Sequence, residues 1–304
     1  MLRRLICFVL VLCLLPMMAF AEATTVYEWT QNGYRVWIKS SEWDNIDMSL
    51  SGFEDPLALT QYAADAIVRM VELCGKPRKH QQYRQSGSEV VLDVELCIAP
   101  GVSHVIGNHY GKTVQKAAVT YKDLYIAYGC APMIHELAHV IYPGYARSLR
   151  EGFSCYLQDA LGGHASVHNF GMDAHEIVQN IVLASDRAPR LLPLIGTYRC
   201  AGTTADLQRS GYYNASYSFV KYLIETYGME TYMRIHGALE DEYVQHTGKA
   251  LEQLKEEWLA ELTLYESDMT AETFRQRAYE TLISLGIPHE GADALSRREA
   301  EQLH

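Results

Sequence analysis

A chain of 304 residues, 48% apolar and 21% charged, has the composition of a globular protein with one large domain or two modest lobes. Wholesale disorder, collagen and repeat arrays are excluded. A formal charge of −11 and the absence of a basic cluster argue against a nucleic-acid partner.

The N-terminus carries Arg3 and Arg4, an apolar run from Leu5 to Met18, and the small-x-small site Ala19-Phe20-Ala21. This order reads as a secretory signal peptide over residues 1–21, cut after Ala21, and predicts a secreted or cell-envelope protein. The run is short for a membrane span and no second one follows. No stable membrane insertion is expected beyond an uncleaved signal anchor. Leu12 before Cys13 does not suit a lipoprotein. Without Arg3 and Arg4, 24 basic residues face 37 acidic ones, a formal charge of −13. Five cysteines remain: Cys74, Cys97, Cys130, Cys155 and Cys200. Export permits disulfides, and an odd count leaves at least one cysteine unpaired within the chain. Cys74 with Cys97 is the pair expected first.

Residues 22–50 read as irregular and strand-like, with Val36-Trp37-Ile38 as a short strand. Asp55-Pro56 opens a helix in which Leu59, Tyr62, Ala63, Ile67, Met70 and Val71 recur at helical spacing, and Gly75-Lys76-Pro77 stops it. Val90 to Val94 is a strand. Val119 to Tyr128 has the pattern of a hairpin turning at Lys122-Asp123. From residue 131 the chain reads as mainly helical. Pro132 suits a first helical turn and Pro143-Gly144 ends that helix. Further helices are expected from about Ser148 to Gly162-Gly163, Gly211 to Gly228, Thr247 to about Tyr265, and Ala271 to about Leu285. The fold class is α+β: a strand-containing lobe, 22–145, then a helical lobe, 146–265, with 266–304 as a helical tail.

The chemistry concentrates at His135-Glu136-Leu137-Ala138-His139. On a helix, His135 and His139 are four apart and share one face, so both imidazoles can reach one tetrahedral zinc ion. Glu136 lies about 100° round from His135, placed to reach a water at the metal without ligating it. Met133, Ile134, Leu137, Ala138, Val140 and Ile141 make this helix apolar nearly all round. A buried helix that carries two His and a Glu needs a reason for them.

Two imidazoles need a third ligand. Tyr142 and Tyr145 stand where a metzincin has Gly and His, which excludes that class. Downstream, Glu151-Gly152-Phe153-Ser154 resembles the Asn-Glu-Gly-Phe-Ala-like motif of the gluzincins, the thermolysin and aminopeptidase-N group, whose third ligand is a Glu on the next helix. The resemblance implies Glu151 as that ligand and one zinc per chain. Ser148-x-x-Glu151 also has the form of a capping box, which would make Glu151 a structural residue. The gap from His139 is shorter than in thermolysin, so Tyr142-Pro143-Gly144-Tyr145 would have to form a compact turn. Where thermolysin has an Asp one turn beyond its Glu, this chain has Cys155. The partner of a zinc-bound His must then come from elsewhere, with Asp159 as one candidate.

The segment Tyr213 to Leu223, ending in Tyr227-Gly228, is similar to the Tyr-led helix of small bacterial peptidase MA-like domains. Thr247-Gly248-Lys249, Leu251, Leu254 and Trp258 are similar to their closing helix. The resemblance covers roughly residues 55–265 and implies a zincin-like fold with an active-site helix. It also implies that Tyr213 points its hydroxyl at the oxyanion of the tetrahedral intermediate. Tyr213, Tyr217, Val220 and Ile224 equally form a helical core stripe, and Tyr212 and Tyr217 are fallbacks. No Gly-Ala-Met-Glu-Asn-like segment is present, which favours an endopeptidase or an unfamiliar exopeptidase pocket. By the same analogy the edge of the Val119–Tyr128 hairpin would pair with an extended substrate.

The expectation is an exported zinc metallopeptidase acting on a peptide or protein substrate, with His135, His139 and Glu151 as ligands and Glu136 as general base. The rival is a non-catalytic zincin-like envelope protein whose structural zinc is closed by a fourth ligand, for which Cys155 is placed. His164, His168 and His175 are candidates for a second metal site, or are plain loop residues. His236 could help an oxyanion or sit at a helix end.

Overall fold

The structure is a computed structural model that describes residues 25–162, 168–198, 207, 209–237, 239 and 242–304. The expected signal peptide, His164 and Cys200 lie outside the described residues. Strands β1 (Val26–Gln31) and β2 (Tyr34–Lys39) form an antiparallel hairpin. Its turn is Asn32-Gly33, with φ of 52° and 87°, the positive pair that a two-residue hairpin turn needs. A short helix α1 (Ser40–Asp44) precedes α2 (Pro56–Cys74). Helix α2 starts where the sequence signals it: Asp55 accepts a hydrogen bond from the Ala58 amide at 2.7 Å, and Pro56 fills the first turn.

Helix α3 (Arg78–Gln85) leads into β3 (Leu92–Ala99), β4 (His104–Tyr110) and β5 (Gln115–Lys122). The five strands form one sheet in the order β1-β2-β3-β5-β4. The β2–β3 and β3–β5 pairs are parallel, and β4 runs antiparallel to β5 at the edge. Residues alternate between buried and partly buried along β2 and β3, as expected for a sheet with one face on a core. Helix α2 covers β1 and β2.

The expected hairpin at 119–128 is replaced by strand then helix. Residues to Lys122 pair with both β3 and β4, and Asp123 opens α4 (Asp123–Ala127). The Asp123 carboxylate accepts from the Leu124 amide at 2.6 Å within the first turn of that helix, where a hairpin turn was expected.

Helices α5 (Met133–Ile141) and α6 (Arg147–Leu161) follow. Then come α7 (Ala174–Ile177), which runs into a π-turn over Val178–Val182, and α8 (Ala188–Leu191). The rest is α9 (Ser210–Tyr227), α10 (Met229–His236), α11 (Tyr243–Thr247), α12 (Leu251–Leu262), α13 (Ala271–Ser284) and α14 (His289–Glu301). Among the described residues strands end by residue 122 and helices dominate thereafter, a mixed α and β arrangement compatible with the α+β class. Among the described residues no helix is long and apolar enough to cross a membrane.

Two further expectations need correction. The helix expected from Thr247 begins at Leu251, because Gly248 at φ 76° adopts the left-handed conformation that ends α11. Cys74 and Cys97 are free thiols. Cys74 ends α2 beside the Tyr142 hydroxyl, whereas Cys97 lies on β3 near Lys39, Glu42 and Glu95. Burial raises both thiols, to about 12 and about 11. The segment 266–304 is helical as expected, over Ala271–Ser284 and His289–Glu301, and it packs on the body of the protein. The Gly211 amide at the head of α9 donates to the Gln302 carbonyl at 3.0 Å, and Leu303 is buried.

Candidate metal centre

Helix α5 is almost wholly buried; only His139 of its nine residues keeps partial exposure. Its first amides need partners, and Gln158 of α6 supplies them. The Ile134 and His135 amides donate to Gln158 Oε1 at 3.1 and 3.2 Å. The other end is fixed by the turn at 142–146. The Tyr142 hydroxyl donates to the Met70 and Gly75 carbonyls at 3.1 and 2.8 Å. Gly144 lies so close to His236 that a Cβ there would meet the His236 carbonyl oxygen at 2.8 Å. This is the compact turn that brings α6 back alongside α5.

The turn also sets Glu151 opposite the two histidines. His135 Nε2 and His139 Nε2 are 3.2 Å apart. Glu151 Oε2 is 3.5 Å from the first and 3.2 Å from the second. Ligand bonds of about 2.0–2.2 Å in a tetrahedral zinc site put neighbouring donors about 3.3–3.6 Å apart. The three atoms therefore form one face of such a tetrahedron, and the donor set fits zinc. Ser148 is not the cap of α6: that place belongs to Ala146, and Ser148 Oγ accepts from the Gly196 amide at 2.8 Å. The capping-box interpretation of Glu151 therefore fails.

Electrostatics agree with the donor roles. Burial lowers the His135 pKa and favours the neutral imidazole that ligates metals. Burial pushes Glu151 up, but the two imidazoles outweigh it and hold the carboxyl well below the usual range. Arg147 Nε lies 3.5 Å from Glu151 Oε1, so the second carboxylate oxygen is also paired. The outer nitrogens of the histidines have partners as well. Ser154 Oγ is 3.3 Å from His139 Nδ1, and Cys155 Sγ is 3.8 Å from His135 Nδ1. Asp159 has a different task, accepting from Asn169 at 2.6 Å.

The centre opens into a cleft of about 710 Å³ whose walls include Glu136, Arg147, His168, Tyr213, Arg298 and residues of β4. Glu136 is buried, and burial raises its carboxyl to about 7. Of the three candidate tyrosines only Tyr213 lines this cleft. Its ring stacks on His168 with centroids 4.0 Å apart and lies 6.3 Å from the His135 ring. Burial pushes the Tyr213 pKa far up, so the hydroxyl stays protonated and able to donate. Tyr217 turns towards Asp159. His236 is buried between the Tyr142 carbonyl, 2.8 Å away, and the Tyr232 hydroxyl, 3.1 Å away, and so is part of the packing.

The edge beside the centre is β4, not the expected hairpin. His104, Val105 and Asn108 face the cleft, and Asn108 Nδ2 donates to the Val140 carbonyl of α5 at 3.4 Å. Sequence reasoning also missed Arg147 and Glu299, and it offered His168 for a second metal site, whereas His168 lines this cleft. Arg147 had a signal, its place one turn before Glu151. Glu299 reaches the site through tertiary packing, 3.5 Å from His168. No family model matches the sequence, and no curated protein matches it.

Proposed function

We propose that this protein is an exported, zincin-like zinc metallopeptidase of the gluzincin type, cleaving an extracytoplasmic peptide or protein. The observation that carries this is the convergence of His135 Nε2, His139 Nε2 and Glu151 Oε2 within 3.5 Å of one another, open to a cleft. A zinc ion held there would polarise a scissile carbonyl and acidify a water. Glu136, raised to about 7, can accept a proton near neutral pH and pass it to the leaving amine. The Tyr213 hydroxyl is a neutral donor set to stabilise developing charge on the carbonyl oxygen. An extended substrate would lie along β4, the sheet edge beside the helix that carries His135.

A closed structural site would need a fourth protein ligand. Cys155 Sγ is 3.8 Å from His135 Nδ1, the nitrogen away from the Nε2 cluster, which speaks against it as that fourth ligand. Zinc content and hydrolysis of casein or a peptide library test the proposal together. Glu151→Gln should release zinc at chelator concentrations that the wild type withstands, and hydrolysis should go with it. Peptide cleavage that survives loss of both histidines would sink the proposal.

A further inference from the structure

A second group of ligand-type side chains lies away from the cleft. His175 of α7, Glu225 in the last turn of α9 and Glu261 in the last turn of α12 each offer a donor atom, all within 4.8 Å of one another. His175 is fully buried, yet its Nε2 has no hydrogen-bond partner. That nitrogen is 3.7 Å from Glu225 Oε2, too long for a hydrogen bond and close to the spacing of two ligands on one ion.

We propose that His175, Glu225 and Glu261 form a second divalent-metal site, suited to zinc, that clamps α7, α9 and α12 together. The other ring nitrogen is already held. His175 Nδ1 is 2.7 Å from Ser218 Oγ, which also accepts from the Trp258 indole at 2.9 Å. With Nδ1–H donating to Ser218, the lone pair falls on Nε2 and faces the carboxylates, the arrangement a ligating histidine needs. Burial, and then the Lys221 ammonium, hold the imidazole at about 4, neutral at physiological pH.

The two acids also need a cation. Both lie at helix C-termini, where the backbone carbonyls already place partial negative charge. The two carboxylates stand within 4.8 Å of each other and of the unpartnered His175 Nε2, and like charges this close repel. The nearby cation, Lys221, is engaged by Asp173 at 2.7 Å. A divalent ion between Glu225, Glu261 and His175 would relieve the repulsion and complete the coordination of the imidazole. One histidine with two carboxylates is a borderline donor set that zinc accepts in tetrahedral geometry with one water.

The test counts metal in the full mature chain after chelator stripping and reloading with zinc. The double variant His135→Ala/His139→Ala should still bind one zinc. Adding Glu225→Gln and Glu261→Gln should abolish that binding. Glu225 is half-exposed and Glu261 partly so, so these changes leave the core intact even if His175→Ala does not fold. Changes to groups that merely support a ligand cost about 10–100-fold in affinity, so losing two direct ligands should cost more than 100-fold. In the His135→Ala/His139→Ala background, zinc should raise the melting temperature, and the two glutamine substitutions should remove that rise. No zinc bound in that background, or zinc bound equally well after the glutamine substitutions, would overturn the proposal. Neither result bears on the centre at His135, which is read separately from hydrolysis.

Discussion

Single side chains decide whether this centre acts or merely binds. Glu136 follows His135 in sequence but is not one of the three converging donors, which leaves its carboxylate for the proposed proton transfer. Glu136→Gln keeps the size and the burial while removing the base. It should retain zinc and lose about 10²-fold or more in kcat; near-native turnover by a zinc-loaded Glu136→Gln protein would reject the role. Tyr213 is tested in the same spirit. Phenylalanine keeps the stack on His168 and removes the donor. Tyr213→Phe should lower kcat about 10–10³-fold with zinc content and KM little changed. Tyr217→Phe, which removes the hydroxyl that faces Asp159, should remain active. If the two variants are equally active, Tyr213 is a packing residue and the oxyanion donor is elsewhere.

At the level of elements, the candidate metal centre lies where α5, α6 and α9 meet, and part of it was legible in the sequence. Helical spacing alone puts His135 and His139 on one face, because the periodicity of a helix is fixed by its backbone. The Glu151-Gly152 pair stood out through its resemblance to a gluzincin motif, and the structure gives Gly152 a packing task. A Cβ at Gly152 would stand 2.2 Å from the Ser216 carbonyl oxygen, so only glycine lets α6 lie against α9 at the turn that carries Glu151. Strand β4 was not legible: its residues are mostly exposed, its ladder is broken between Ile106 and His109, and no alternation marks it. The β1–β2 turn did carry a signal in Asn32-Gly33. The partners of the histidine outer nitrogens, Ser154 and Cys155, depend on how α6 is rotated against α5, which no local pattern encodes. Gly152→Ala follows from this packing. The contact is with backbone, so a helix must move. A cost of about 1–3 kcal/mol in stability is expected, with weaker zinc binding because Glu151 moves with α6. Thermal unfolding of the zinc-free and zinc-loaded protein would show it; an unchanged melting temperature in both would mean that α6 and α9 are not held this closely.

Across the whole molecule, the C-terminal helix α14 is bound to the cleft through one buried acid. Glu299 accepts a hydrogen bond from Ser210 at the head of α9, is paired with Arg298, and lies 3.5 Å from His168, whose ring stacks on Tyr213. Arg298 in turn donates to the Tyr125 hydroxyl of α4 at 3.2 Å. Burial pushes the Glu299 carboxyl up, but the hydrogen bond and charge of His168, the Arg298 charge and the Ser210 hydroxyl outweigh it and hold it at about 2. A glutamate in the unfolded chain titrates near about 4.3. Because the folded value is the lower one, this network stabilises the fold fully above about pH 4.3. The contribution fades as pH falls towards about 2. Its size at neutral pH is at most about 3 kcal/mol, from a shift of about two units. Glu299→Gln should therefore be less stable than wild type at pH 7, and the difference should shrink as both are acidified from about pH 4.3 towards 2. Denaturant unfolding across that range measures it. A difference that stays constant with pH would mean that the hydrogen bonds at Glu299 matter and its charge does not. A difference that grows on acidification would contradict the sign of the shift.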